Sequence, residues 1–315
     1  MKLNPVLCPP SHNTVTGSGH YVVCSRYLAG KLVTGILAEV QLAYPAAAVA
    51  EATDLPVLTY RCSPALETLL ATVVATPPDD RQVDSALGAE YQFWLVRDPE
   101  LASSLQSALD GVDAFYWLDG WTESAQQPAL APPAGVPQGA SDQAPVALLL
   151  ADDQLEPRAR HRLLADLDGM DAQDFLQKLH KCFNIRAATD AAQAMPSQAR
   201  EMGLYLDGYW YCLNLIDGTW FAQDPVRDMD VSILADNVFA LMLGITHADQ
   251  SGRIGIADPV LSPQQLAELV DQGEWQAAFV LYPPTVEYLM ALSDAGRVPP
   301  ARTVAFGQAL PWIAH

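Results

Sequence analysis

The stretch GLYLDGYWYCLNL, residues 203–215, decides how the fold is read. Two apolar, aromatic-rich runs, Gly203–Leu206 and Tyr209–Leu215, flank Asp207-Gly208, and Asp-Gly between such runs signals a two-residue β-hairpin. A hairpin makes neighbouring strands antiparallel, whereas a doubly wound sheet needs a helix between every pair of strands. Downstream, the apolar spacing predicts a helix over Asp230–Leu243, a strand over Arg253–Ile256 and a helix over Ser262–Asp271. A strand over Gln276–Leu281 and a helix over Pro284–Ala295 follow. Upstream lies Asp171–Phe183, an amphipathic helix with Phe175, Leu176 and Leu179 on one stripe. Strands and helices mix without strict alternation, so the expected class is α+β, mixed sheets with packed helices.

The first third fits that class. His20–Tyr27 and Lys31–Tyr44 read as strands joined at Ala29-Gly30, and Pro45–Thr53 as an Ala-rich helical turn or two. Pro56–Tyr60 and Tyr91–Val96 read as strands, and so does Ala114–Leu118. Pro64–Ala75 and Asp98–Leu109 read as helices, the second opened by Asp98 with Pro99 in its first turn. Residues 126–144 are rich in Pro, Ala and Gly and read as a surface loop or linker. The expected organisation is therefore an N-terminal α+β domain over 1–125, the linker over 126–144, and a C-terminal α+β domain over 145–315, opened by a buried strand at Pro145–Ala151.

Composition limits what such a fold can do. The chain has 315 residues, half of them apolar, with 17 Lys and Arg against 37 Asp and Glu, a formal charge of −20. A nucleic-acid binder needs a basic face, and this composition leaves little from which to build one. No run approaches the roughly 20 apolar residues that span a bilayer, so no membrane partner is expected. Five cysteines, at 8, 24, 62, 182 and 212, have no framework spacing and read as reduced thiols of a cytoplasmic protein.

Against that acidic background, Arg158, Arg160, His161 and Arg162 concentrate basic groups within five residues, the best local site for a phosphate or carboxylate. The plainer alternative is a solvated basic loop balancing Asp152, Asp153 and Glu156. Asp119-Gly120 ends a strand where Thr122 could cap a helix, giving either a phosphate-approach turn or an ordinary tight turn. Cys8, His12, His20 and Cys24 could in principle surround zinc. Cys24, however, falls in a predicted apolar strand and reads as a core side chain, so no metal site is expected. No P-loop, dinucleotide fingerprint, nucleophile elbow or His-Glu-x-x-His is present.

The order of weaker motifs resembles the bacterial and archaeal family known as domain of unknown function 1015. The motifs are Tyr91–Val96, Asp119-Gly120, His161-Arg162-Leu163-Leu164, Asp230-Val231-Ser232-Ile233-Leu234, Ala278–Leu281 with Pro283-Pro284-Thr285, and Pro299-Pro300. The resemblance implies a ParB-like, sulfiredoxin-like core of the kind found in free-serine kinases, with a C-terminal α/β part. It also implies phosphotransfer from ATP or ADP with magnesium to a small hydroxyl-bearing metabolite. Glu51 (with Thr53) and Asp119 would be catalytic, and Gly120, Arg158, Arg160, His161, Arg162 and Arg302 would hold phosphate. Four departures stand out. Trp121, Thr122 and Glu123 replace the family's His, His and Arg, and Pro299-Pro300-Ala301-Arg302 lacks the family's Lys. Two functions are therefore expected as alternatives: a phosphotransferase with a degenerate motif, or an inactive pseudo-enzyme that binds a metabolite or a protein. No oligomeric state is legible.

Overall fold

The β-branched and aromatic run after Tyr21 pairs back on itself across Gly30, as its alternation demands, and a sheet grows from that hairpin. In the computed structural model, the described residues are 3–5, 21–28, 30–40, 57–85, 88–117, 146–248, 251–297, 299–300 and 302–306. The chain divides into two units, Met1–Glu156 with Gln308–His315, and Pro157–Gly307.

In chain order the first unit contains β1 (Leu3–Pro5), β2 (Tyr21–Leu28), β3 (Lys31–Val40), β4 (Val57–Tyr60), α1 (Pro64–Val74), β5 (Asp80–Asp84), β6 (Ala89–Val96), α2 (Pro99–Asp110), β7 (Tyr116–Trp117) and β8 (Val146–Ala151). They form a sheet of order β5-β6-β2-β3-β8-β4-β7, with β1 added on β3. Among the described strands, only β4 and β8 run parallel. The strand expected to open the C-terminal domain, β8, instead pairs with β3 and β4. Its sequence, VALLLA, has no polar face, and a strand of that kind belongs in the middle of a sheet. Gly35 in β3 permits the close pairing, since a Cβ there would meet the Leu149 carbonyl oxygen at 2.6 Å. The helices α1 and α2 pack on each other and on β6, burying Leu66, Leu70, Leu105 and Leu109. Asp98 caps α2 by accepting from the Glu100 N–H at 3.0 Å.

The second unit contains β9 (Pro157–Ala159), β10 (Arg162–Leu164), α3 (Ala172–Leu179), β11 (Phe183–Ala188), α4 (Ala191–Ala194), β12 (Glu201–Leu206) and β13 (Tyr209–Leu215). It continues with α5 (Asp230–Leu234), a π-helical segment (Ala235–Ala240), α6 (Leu241–Leu243), β14 (Ile254–Ile256), α7 (Pro263–Asp271), β15 (Ala277–Leu281), α8 (Val286–Asp294) and β16 (Val304–Phe306). Six strands form an antiparallel sheet of order β11-β13-β12-β15-β10-β14, and β9 pairs separately with β16. Asp207 and Gly208 take φ of +50° and +81°, which is why an Asp-Gly pair was needed at the β12–β13 turn. The helix expected over 171–183 ends at Leu179, and Phe183 opens β11, which extends the hairpin by pairing with β13.

β15 is buried along its whole length and divides the core of this unit. Ala278 and Val280 join Leu163, Tyr205 and Trp210 on one face, under α4 and α7. Phe279 faces the other way, against the edge of Phe239 in the π-helical segment. Arg162 pairs with Phe279 across the β10–β15 ladder and therefore lies on that second face. The fold is α+β, as expected.

Candidate ligand cavity

The basic run expected to grip phosphate is built into strands. β9 and β10 flank Arg160 and His161, and the returning strand β16 lies along β9 with Ala305 opposite Arg158. The Arg160 N–H donates to the Thr303 carbonyl at 3.2 Å, and its Nε donates to Val304 O at 3.2 Å. Arg162 is 2% exposed. Its guanidinium donates to Arg160 O at 2.6 Å and to Arg302 O at 3.0 Å. A charged donor on buried carbonyls is worth about 1.5–3 kcal/mol per bond, so freeing this group for a ligand is costly. His161 accepts the Leu281 N–H at Nδ1, 3.2 Å away. Burial, and then the neighbouring Arg162 charge, press its pKa down to about 4, which keeps the ring neutral at neutral pH.

Arg160, His161 and Arg162 are thus brought together and hold main-chain groups, with Arg302 among them through its carbonyl. Arg158 and Arg302 are exposed. Glu51, Asp119 and Gly120 lie outside the described residues, as do Thr53, Cys8, His12 and His20. Cys24 is a core side chain of β2, 3% exposed, whose thiol points to the Gly35 carbonyl at 3.7 Å. Burial pushes its pKa up to about 12, far from a metal-ready thiolate. Among the described residues no cluster of three His, Cys, Asp or Glu could hold a metal.

The second unit contains a cavity of about 200 Å³ that sequence reasoning did not single out. Five stretches that are far apart in sequence make it: Ala159 of β9, the entry to β12 at Ala199 and Arg200, the turn Asp228–Val231 into α5, Leu281–Thr285 leading to Tyr288 of α8, and Thr303 before β16. Arg200 has φ of +71°, unusual for a residue with a Cβ. That conformation lets one residue serve two carboxylates. Its N–H donates to Asp230 Oδ1 at 2.8 Å, while its guanidinium donates to Asp228 at 2.7 to 3.1 Å. The guanidinium also lies over the Trp220 ring at 5.1 Å, and Trp220 Nε1 donates to Asp228 Oδ1 at 2.7 Å. Asp228 is therefore well supplied with donors.

Asp230 is not. The residue is 7% exposed, and its Oδ2, itself shut off from solvent, has no hydrogen-bond partner among the described residues. Burial raises its pKa to about 6. The N–H groups of Arg200 and Tyr282 and the Arg200 charge pull it back, and Asp228 pushes it further up. Tyr288 closes another wall, with its hydroxyl donating to Pro225 O at 2.6 Å and its N–H donating to Thr285, the cap of α8, at 3.2 Å. Pro283, Pro284 and Val231 contribute apolar surface. The groups of the lining that carry charge at neutral pH are one arginine and two aspartates. The arginine is matched to Asp228, so the charge of Asp230 is left over.

A family model described as protein of unknown function DUF1015 matches residues 46–232, more than half of the chain. The chain belongs to the DUF1015 family. That match spans Arg158–Arg162 and the Arg200–Asp230 part of the cavity. No curated protein matches the chain. Solved structures similar to this DUF1015 protein include free serine kinase in complex with AMP, at 13% identity over 82% of this chain and 85% of that one, TM-score 0.31. A variant of that name in complex with ADP gives 13% identity over 81% and 85%, TM-score 0.32. A conserved hypothetical protein from Pyrococcus furiosus gives 12% over 80% and 87%, TM-score 0.31. These likenesses are too distant to assign a ligand.

Proposed function

We propose that this DUF1015 protein binds a small molecule in the cavity at Asp230 and has lost the phosphotransfer chemistry that the family resemblance implies. One observation carries the reading: Asp230, a residue 7% exposed with one carboxylate oxygen unpartnered, lines a cavity of about 200 Å³. Folding leaves such a group unsatisfied only at a cost of about 1–3 kcal/mol, which ordered water or a bound ligand recovers. The loss of phosphotransfer is supported by the commitment of Arg160 and Arg162 to main-chain carbonyls. Trp121, Thr122 and Glu123, where the family has His, His and Arg, support it further, because an acid in place of an arginine opposes an anion.

Calorimetry with ATP and with ADP, each with magnesium, tests the second half of this reading. The expected result is no heat at millimolar nucleotide, with measurable binding appearing in the triple variant W121H/T122H/E123R. The alternative, a phosphotransferase acting on a small alcohol, is favoured by the retained Asp119-Gly120 pair. Nucleotide binding by the unaltered chain together with phosphorylation of serine would establish that alternative instead.

A further inference from the structure

Residues 216–229, the connection from β13 to α5, form a loop without helix or strand, of the length at which connections usually serve a function. Only Met229 among them is buried, so apolar packing does little to hold this loop down. Charge holds it instead. The turn at 224–228 is closed from within: Asp224 Oδ1 accepts the Val226 N–H at 3.0 Å, and the Asp224 carbonyl accepts the Asp228 N–H at 2.8 Å. Three charges leave this turn toward three different elements. Asp224 pairs with Arg297 beyond α8 at 2.7 Å, Arg227 with Asp236 of the π-helical segment at 2.8 Å, and Asp228 with Arg200 before β12 at 2.7 Å. Neutral bonds join them: the Tyr288 hydroxyl donates to Pro225 O, the Ser232 hydroxyl to Val226 O, and Asn237 Nδ2 to Thr219 O. Asp228 and Met229 line the cavity, and so does Tyr288, the residue that grips Pro225.

We propose that the turn 224–228 is a salt-sensitive latch on the cavity, whose release swings this wall away from Tyr288 and widens the way in for a ligand. The inference rests on the binding reading above for what enters; the latch itself does not depend on it. The side chains of the three ion pairs are 17–44% exposed, so ions in solution reach all of them. An exposed pair is weak by itself, and salt shortens the reach of its charges from roughly 8 Å under physiological conditions to roughly 3 Å at 1 M. Because one compact turn carries all three pairs, screening weakens them together. The neutral bonds and the buried Met229 then supply the pull that closes the turn again.

Hydrogen exchange of the full chain, read by mass spectrometry at ~0.05 M and ~1 M NaCl, compares residues 216–229 with the hairpin at 201–215. The loop should exchange about threefold faster or more at the higher salt, and the hairpin alike at both. Arg297→Gln, which lies outside the cavity lining, should reproduce the faster loop exchange at low salt, whereas Arg297→Lys should stay near the parent. Unchanged hairpin exchange shows that both variants are folded. Loop exchange indifferent to salt and to Arg297→Gln would overturn the latch. Toluene, a neutral probe followed by tryptophan fluorescence in stopped flow, should enter Arg297→Gln at least about twofold faster than the parent at low salt. Toluene binding at a rate that ignores Arg297→Gln would overturn the gating and leave the cavity as a binding site. A loop that responds while toluene binds neither protein would overturn the binding reading, and the gating with it.

Discussion

Arg162 shows how a residue can be legible as a motif and illegible as a role. His161-Arg162 stands out in a chain with 17 basic residues, and the natural inference from charge alone is an anion site. Its burial arises from non-local pairing: β10 lies between β14 and β15, whose residues come about a hundred positions later. No local pattern announces that. The same holds for Asp230, readable as the first residue of a helix but not as a wall of a cavity, because the other walls come from Arg200 and Leu281–Thr285. Replacing Arg162 by Ala leaves the carbonyls of Arg160 and Arg302 without their donor. It should lower the unfolding free energy by about 2–4 kcal/mol, read from a shift in urea midpoint at constant slope. An arginine kept for ligand binding would instead leave the midpoint within about 0.5 kcal/mol of the parent.

Elements with their own punctuation were the most legible. Asp98 before Pro99, Ser262 before Pro263 and the Asp207-Gly208 turn each name an element's start or reversal, and each is where the sequence puts it. Short strands that exist only through their partners were not: β5 leans on β6, β11 on β13, and β9 on β16. Three residues of strand carry no period to read, and the basic composition of Pro157–Arg162 suggested solvent. The caps also separate stability from binding. Ser262→Ala removes a capping box from α7, and Thr285→Ala removes the acceptor at the start of α8. Each should cost about 1 kcal/mol in denaturant unfolding. Only Thr285→Ala, whose hydroxyl holds the Tyr288 N–H on the cavity wall, should also weaken binding of a small aromatic probe in the cavity, by a few-fold in calorimetry. Equal effects of both variants on binding would mean that α8 does not position the site.

At the scale of the molecule, two buried titrating groups oppose each other. Asp230 has a pKa of about 6 against an ordinary 3.8, so the folded chain keeps a proton that the unfolded chain has released. Its contribution to stability is present at low pH and is lost as pH rises from about 4 to about 6. His161 has a pKa of about 4 against 6.5, so here the unfolded chain holds the extra proton. Its contribution is present above about pH 6.5 and is lost as pH falls through about 4. The two slopes nearly cancel over a shared window. Asp230→Asn should therefore make the acid loss of stability steeper and raise stability at pH 7 by on the order of 2 kcal/mol. His161→Asn, which keeps an acceptor for the Leu281 N–H, should leave stability falling as pH rises from about 4 to 6. Urea midpoints taken every half pH unit distinguish these outcomes, and parallel profiles for all three proteins would refute them.

The ladder between β9 and β16 has a topological consequence. Pro157–Ala159 is where the chain enters the second unit, Val304–Phe306 is where it leaves, and the two lie side by side. The entry and the exit of the second unit are thus paired strands, so its two chain ends are held side by side. A unit whose ends meet in this way can be inserted, swapped or shed as one piece of chain.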